Sequence, residues 1–83
     1  MKQIARTTKQ IGAIVRRERR KRELTQAGLG SRTGLRQATI SKLERGEPAT
    51  QLRTLLYVLT ALNLQIVITG RERVSKEDIE GLF

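Results

Sequence analysis

Apolar residues near the start of the chain recur at the three- and four-residue spacing of an amphipathic helix. They are Ile11, Ile14 and Val15. Thr7 and Gln10 have the spacing of a capping box, so the pattern predicts a first helix over residues 8–22. Residues 1–7 are expected to form a flexible arm. The polar face of this helix carries the basic residues Arg16, Arg17, Arg20 and Lys21.

Two shorter helical segments follow, each ended by a glycine. Thr25 is a candidate N-cap for residues 26–33, and Gly34 is expected to end that segment because glycine adopts positive φ readily. A third segment covers residues 36–45 and has Gly46 as its C-cap. The residues expected to face the core are Ala27, Leu29, Ile40 and Leu43.

A leucine-rich segment predicts a fourth helix. It follows Pro48, begins with Thr50 as its candidate N-cap and ends at Leu62, where Asn63 is suited to the left-handed conformation that terminates helices. Its leucines lie at helical spacing and are expected to form the buried face: Leu52, Leu55, Leu56, Leu59 and Leu62.

The pattern then changes to alternation. Residues 64–69 are rich in β-branched side chains and are closed by Gly70, which predicts a strand. A lone strand cannot satisfy its own backbone groups, so we expect it to pair with the same strand of a second chain in a two-fold dimer. An extended segment packed on its own helices stays open as the alternative. The predicted dimerisation residues are Leu64, Ile66, Val67 and Ile68.

The pattern divides the chain into the arm 1–7, one domain over residues 8–69 and a polar, weakly ordered tail over residues 70–83. The tail ends in Gly81, Leu82 and Phe83. It is either a degradation-prone terminus or an apolar segment that inserts into a protein partner.

Composition excludes several classes of function. At 83 residues the chain can form one small domain with a thin core. Having neither Cys nor His, it lacks thiolate nucleophiles, the usual general base and the commonest metal ligand. Ser41 and Lys42 are neighbours that point in different directions on a helix, so they make no nucleophile–base pair. We therefore expect no enzyme, cofactor, metal or small-molecule substrate.

The hydropathy of the sequence predicts where in the cell the protein is found. No apolar run approaches the ~18 residues that cross a bilayer, and residues 1–10 contain no apolar stretch typical of a secretory signal. These features predict a cytoplasmic protein with no membrane partner.

Charge is concentrated in the first part of the chain. Residues 1–46 contain 13 Lys or Arg and three acidic residues, residues 47–70 are balanced, and residues 71–83 have one acidic residue in excess. This distribution indicates a polyanionic partner, although a solvated basic helix is the simpler alternative. Tyr57 and Phe83 are the chain's two aromatic residues, which disfavours single-strand binding by base stacking. Duplex DNA fits better.

A helix-turn-helix motif is indicated by the residue spacing within residues 24–46. The sequence of this segment is LTQAGLGSRTGLRQATISKLERG. Small, turn-forming and apolar residues fall at positions 5, 9, 15 and 18 of the motif when Gln26 is position 1: Gly30, Gly34, Ile40 and Leu43. Here the sequence resembles the Xre/Cro-type helix-turn-helix family. Thr33 departs from the pattern, because an apolar residue usually stands there. The resemblance implies an all-α, lambda-repressor-like domain of four to five helices, here followed by the C-terminal β-strand.

The resemblance also implies a DNA interface. The second helix of the motif would enter the major groove with its first turns towards the base edges. The residues in that position are Arg36, Gln37, Ala38, Ser41 and Lys42. Arginine suits guanine, glutamine suits adenine, and the alanine methyl suits thymine.

Backbone contacts and one ion pair follow from the same resemblance. The residues expected to contact phosphates are Gln26, Thr39, Arg16, Arg17 and Arg20. Family members pair an arginine late in the first helix with a glutamate of the recognition helix, and the matching residues here are Arg19 and Glu44.

Over residues 8–69 the order of elements resembles the HipB-type antitoxins, the DNA-binding partners of HipA-type serine/threonine kinase toxins. This implies a dimeric repressor that binds palindromic operators of its own promoter and neutralises a HipA-like kinase toxin. Three alternatives remain: a stand-alone phage-like repressor, a protein that acts mainly by inhibiting a kinase, and a basic RNA-binding protein.

Overall fold

Four α-helices make up the regular structure of residues 2–71, the part of the chain that the computed structural model describes. They are α1 (Thr8–Lys21), α2 (Gln26–Thr33), α3 (Gln37–Glu44) and α4 (Leu52–Ala61). Each lies within two residues of its predicted position. No strand occurs within residues 2–71.

Side-chain caps start the first two helices. The backbone N–H of Gln10 donates to Thr7 Oγ1 at 3.1 Å, and that of Gly28 donates to Thr25 Oγ1 at 2.9 Å. Both predicted caps are therefore confirmed. The predicted cap of the fourth helix is wrong: Gln51, not Thr50, is the N-cap residue, and it makes no side-chain capping bond.

The turn between α2 and α3 is held by local hydrogen bonds. Gly34 has φ 74°, as predicted, and the Leu35 N–H donates to the Gly30 carbonyl at 3.1 Å. A Cβ on Gly30 would lie 2.7 Å from the Leu35 carbonyl oxygen, so any residue other than glycine would force the backbone of this turn to move. Thr33 fits this turn although it is polar, because its hydroxyl donates to the Leu29 carbonyl at 2.9 Å.

The core lies where the four helices meet. Its buried members are Val15, Leu29, Ile40, Leu43, Leu55, Val58, Leu59 and Leu62. Three predictions of inward positions were wrong, since Leu52 is 64% exposed, Leu56 is 44% exposed and Ala27 is exposed. The buried stripe of α4 runs through Val58 instead. Ala27 stands two residues from Leu29, about 200° around the helix, and so faces the opposite side.

Backbone contact brings α1 against the C-terminal end of α3. A Cβ on Gly12 would lie 2.5 Å from the Leu43 carbonyl oxygen and 2.6 Å from that of Glu44. No other residue type fits this approach without moving one of the helices.

After α4 the described chain has no regular secondary structure. The Leu64 N–H donates to the Leu59 carbonyl at 2.8 Å, but residues 65–71 take part in no backbone–backbone hydrogen bond within the described chain. Ile66, Val67 and Ile68 are 48%, 61% and 94% exposed, so this segment is not packed on its own helices. Strand pairing stays a prediction. Of the predicted tail, residues 72–83 lie outside the described residues.

None of the helices in residues 2–71 has the length and apolar character that crossing a bilayer requires.

Candidate nucleic-acid interface

The first turn of α3 projects from the domain. Its outer residues Arg36, Gln37 and Ala38 are exposed, whereas Ile40 and Leu43 on its other side are buried in the core. Arg36 is the N-cap residue, and its guanidinium group, which can only donate, cannot cap the helix. The leading end of α3 is therefore accessible to a ligand.

The middle of α3 is more enclosed. Lys42 is exposed, whereas Thr39 and Ser41 are half-buried. The Ser41 hydroxyl accepts a hydrogen bond from Arg45 Nη1 at 3.0 Å. The structure thus places all five predicted base-contacting residues at the surface of one helix or at its N-cap.

A buried ion pair joins α1 to the end of α3. Arg19 Nε donates to Glu44 Oε2 at 2.7 Å and Arg19 Nη2 donates to Oε1 at 3.0 Å, and the two side chains are 9% and 3% exposed. Arg19 Nη1 also donates to the Leu24 carbonyl at 2.7 Å, between α1 and α2. The hydrogen bond with Glu44 raises the pKa of Arg19, so the guanidinium group stays charged.

Gln26 is also tied to this pair. Its Nε2 donates to Glu44 Oε1 at 3.2 Å, which links the first residue of α2 to the last residue of α3. An amide nitrogen carries two protons, so one remains for a phosphate. Gln26 therefore has a structural role beside its predicted backbone contact. No local pattern signals this role, because the partner is 18 residues away.

Basic side chains line an open groove along α1. The groove has a volume of about 580 Å³, and its lining residues are Ala13, Arg16, Arg17, Arg20, Lys21 and Glu44. Since Glu44 ends α3, this groove adjoins the C-terminal end of α3. Three of the predicted phosphate contacts, Arg16, Arg17 and Arg20, lie here and are exposed.

The arm lies against the same helix. Arg17 Nη2 donates a hydrogen bond to Gln3 Oε1, and Gln3 and Ile4 border a second depression next to Ala13. The arm therefore runs beside the basic groove.

Glu18 is a buried acid that sequence reasoning missed. It is 7% exposed, and its carboxylate lies 3.0 Å from Lys21 Nζ and 3.1 Å from Arg22 Nη1. Hydrogen bonds from Lys21 and then Arg22 lower the pKa of Glu18, and desolvation opposes them only in part. The Glu18 carboxylate thus pairs with two cations at the C-terminal end of α1, Lys21 and Arg22. Among residues 2–71, no group of acidic side chains is placed to hold a metal ion.

Comparison with known families agrees with this geometry. Residues 15–68 match the sequence profile of the HTH_3 helix-turn-helix family, which covers all of α2, α3 and α4. The chain belongs to this Xre/Cro-like helix-turn-helix family.

Solved structures of HipB are similar to this member of the family. A HipB–O4 20mer complex superposes with a TM-score of 0.80 at 27% identity, covering 86% of this chain and 100% of the HipB chain. A complex of a serine-to-alanine HipB variant with an O2 20mer gives 0.79 at 29% identity, over 87% and 100% of the two chains. HipB in a HipA–HipB–O2–O3 complex gives 0.80 at 27% identity, over 86% and 100%. No curated protein matches the sequence.

Proposed function

We propose that this protein is a dimeric, sequence-specific DNA-binding repressor and the antitoxin of a toxin–antitoxin pair. One observation carries the DNA-binding part: α3 exposes Arg36, Gln37 and Ala38 on its leading turn while Ile40 and Leu43 anchor its other side in the core. A helix held in this way can enter the major groove without rearrangement.

The exposed side chains match the base edges of the major groove. Arg36 can donate two hydrogen bonds to guanine, Gln37 can donate to and accept from adenine, and the Ala38 methyl can contact thymine. Ser41 and Lys42 follow one turn later and would extend the contact along the groove. Each good bidentate contact discriminates against the wrong base by about 1–3 kcal/mol.

Phosphate contacts would position this helix. Gln26 stands at the N-terminus of α2 and keeps one amide proton, and Thr39 lies in the first half of α3. Arg16, Arg17 and Arg20 add three exposed cations along α1. Such contacts carry no sequence information but supply affinity that falls with salt.

The segment after α4, residues 64–69, would complete a dimer. Within residues 2–71 the backbone of residues 65–71 is unpaired, and Ile66, Val67 and Ile68 are exposed, which suits pairing with the same segment of a second chain, with Leu64 at the edge of the core. A two-fold dimer would set two recognition helices roughly 34 Å apart, which calls for a palindromic operator.

The likeness to HipB supports the antitoxin role, because one of the similar structures contains HipA as well as operator DNA. We propose a HipA-like serine/threonine kinase as the partner and a nucleoid-associated, cytoplasmic location. A stand-alone repressor of the phage type is the alternative.

A mobility-shift assay on the DNA upstream of the gene tests the repressor function. The wild-type protein should retard this fragment at concentrations that leave a scrambled duplex of equal length unbound. Equal retardation of both duplexes would contradict sequence-specific binding.

Co-expression tests the antitoxin function. A kinase gene adjoining this one should yield a kinase that co-purifies with the full chain and loses its toxicity. A chain lacking residues 70–83 should still bind the operator, because the described helix-turn-helix does not include them. The absence of a kinase-like neighbouring gene would favour the stand-alone repressor.

A further inference from the structure

Arg45 reaches back to the second turn of the recognition helix. Its Nη1 donates a hydrogen bond to Ser41 Oγ at 3.0 Å, across the four-residue spacing that brings side chains together on a helix. Arg45 is the exposed C-cap residue of α3, and Ser41 is half-buried. Ser41 is one of the predicted base contacts, whereas Arg45 is not.

The Ser41 hydroxyl is used differently from two other helical hydroxyls. Thr33 Oγ1 donates to the Leu29 carbonyl and Thr60 Oγ1 donates to the Leu56 carbonyl, both at 2.9 Å, so these protons are engaged within their own helices. Within residues 2–71, Ser41 Oγ accepts from Arg45 and donates to no protein acceptor. Its proton remains available for a ligand.

Arg45 favours the Ser41 hydroxyl as a hydrogen-bond donor rather than an acceptor. A serine hydroxyl has one donor and two acceptor sites, and a guanidinium group can only donate. Arg45 therefore occupies one acceptor site of Ser41, and its charge polarises the O–H bond into a stronger donor. The same charge disfavours the approach of an amino group.

Guanine, thymine and cytosine differ in whether they present a hydrogen-bond acceptor or a donor to the Ser41 hydroxyl in the major groove. Guanine presents the acceptors N7 and O6, and thymine presents the acceptor O4. Cytosine presents the N4 amino group, which is a donor. A polarised donor on α3 would therefore favour guanine or thymine over cytosine.

We propose that Arg45 is a positioning residue for sequence specificity, which orients the Ser41 hydroxyl as a donor and so makes Ser41 select against cytosine. The inference rests on the proposed function, because it applies only when α3 lies in the major groove.

The test is a binding selection from a pool of short duplexes with a randomised centre, sequenced before and after selection. The proteins compared are the full-length wild type, Arg45→Ala, Ser41→Ala and the double variant. Arg32→Ala is the matched control, because Arg32 is an exposed arginine in the last turn of α2 that makes no hydrogen bond to Ser41. Circular dichroism melting confirms that each variant is folded.

The wild type should disfavour cytosine at one position by about 10-fold. Arg45→Ala should reduce this discrimination several-fold, and Ser41→Ala should abolish it. Adding Arg45→Ala to Ser41→Ala should change it no further, and Arg32→Ala should leave it intact.

Two results would overturn the proposal. The first is a wild type that enriches a defined sequence but shows no position that disfavours cytosine, or one whose discrimination Arg45→Ala leaves unchanged. The second is an equal loss of binding to every duplex in Arg45→Ala with a flatter salt dependence, which would make Arg45 a phosphate contact. Failure of the repressor function gives a different result, in which the wild type enriches no sequence at all.

Discussion

Arg19 and Glu44 form a buried ion pair, with Arg19 Nε 2.7 Å from Glu44 Oε2, and they fix the end of α3 to α1. Glu44 also accepts from Gln26 at 3.2 Å, so three helices meet at one carboxylate. The pair therefore fixes the positions of α2 and α3 relative to α1.

Removing one partner of this pair should be costly. Arg19→Met leaves the Glu44 carboxylate buried without its cation, and we expect a loss of about 3–5 kcal/mol in the free energy of unfolding, measured by urea denaturation. The double variant Arg19→Met, Glu44→Leu should lose less, because no uncompensated charge remains. A double variant at least as unstable as the single one would contradict this account.

Gly12 should not tolerate a side chain. In Gly12→Ala the new Cβ would meet the carbonyl oxygens of Leu43 and Glu44 at 2.5 and 2.6 Å, so α1 must move away from α3. We expect a loss of about 1–3 kcal/mol, measured in the same way, despite the higher helix propensity of alanine. Gly28→Ala is the control: its nearest contact is a side-chain hydroxyl, Thr25 Oγ1, at 3.2 Å. Equal losses of unfolding free energy in Gly12→Ala and Gly28→Ala would contradict the close approach of α1 to α3.

Local sequence patterns were enough to predict the four helices and the turn. Thr7, Thr25, Gly34 and Asn63 act through their own neighbours, since caps and positive-φ positions are decided within a few residues. Leu52 was predicted wrongly because helical spacing does not tell which of several apolar faces meets the core.

The parts of the site that depend on tertiary contact could not be predicted from local pattern. Gln26 meets Glu44 only because α2 and α3 cross, and Gly12 is restricted only by the end of α3. Arg19 and Glu44 were named through the family resemblance, because they stand 25 residues apart and no spacing rule connects them. Glu18 resembles any other acid of a charged helix until its burial is known.

The segment after α4, residues 64–69, offers a test of dimerisation. Alternate residues of a strand donate to its partner, so Ile66→Pro or Val67→Pro should remove a hydrogen bond of the intermolecular sheet and shift the protein from dimer to monomer in sedimentation equilibrium. The helices should be unaffected, because residues 65–71 form no backbone–backbone hydrogen bond within the described chain. Val67→Thr keeps the N–H group and is the control. Two proline variants as dimeric as the wild type would exclude pairing through this segment.

Acid should weaken the fold partly through Glu18. Its pKa is lowered in the folded protein by the Lys21 and Arg22 hydrogen bonds, so its stabilising effect is complete above the unfolded pKa of about 4.3 and is lost as the pH falls through the folded value. The difference in unfolding free energy between wild type and Glu18→Gln should therefore be largest near neutral pH and shrink below about pH 4. A difference that does not change with pH would show that the carboxylate charge is not involved.

Gln37 provides the most direct test of the claim that the leading turn of α3 reads base edges. Fluorescence anisotropy at fixed salt should compare a preferred duplex with a scrambled one for the wild type, Gln37→Ala and Arg17→Ala. Gln37→Ala should lose about 1–3 kcal/mol on the preferred duplex and little on the scrambled one, whereas Arg17→Ala should weaken both equally. The claim would be contradicted by a wild type that binds both duplexes equally. It would also be contradicted if Gln37→Ala weakened binding to both duplexes by the same factor.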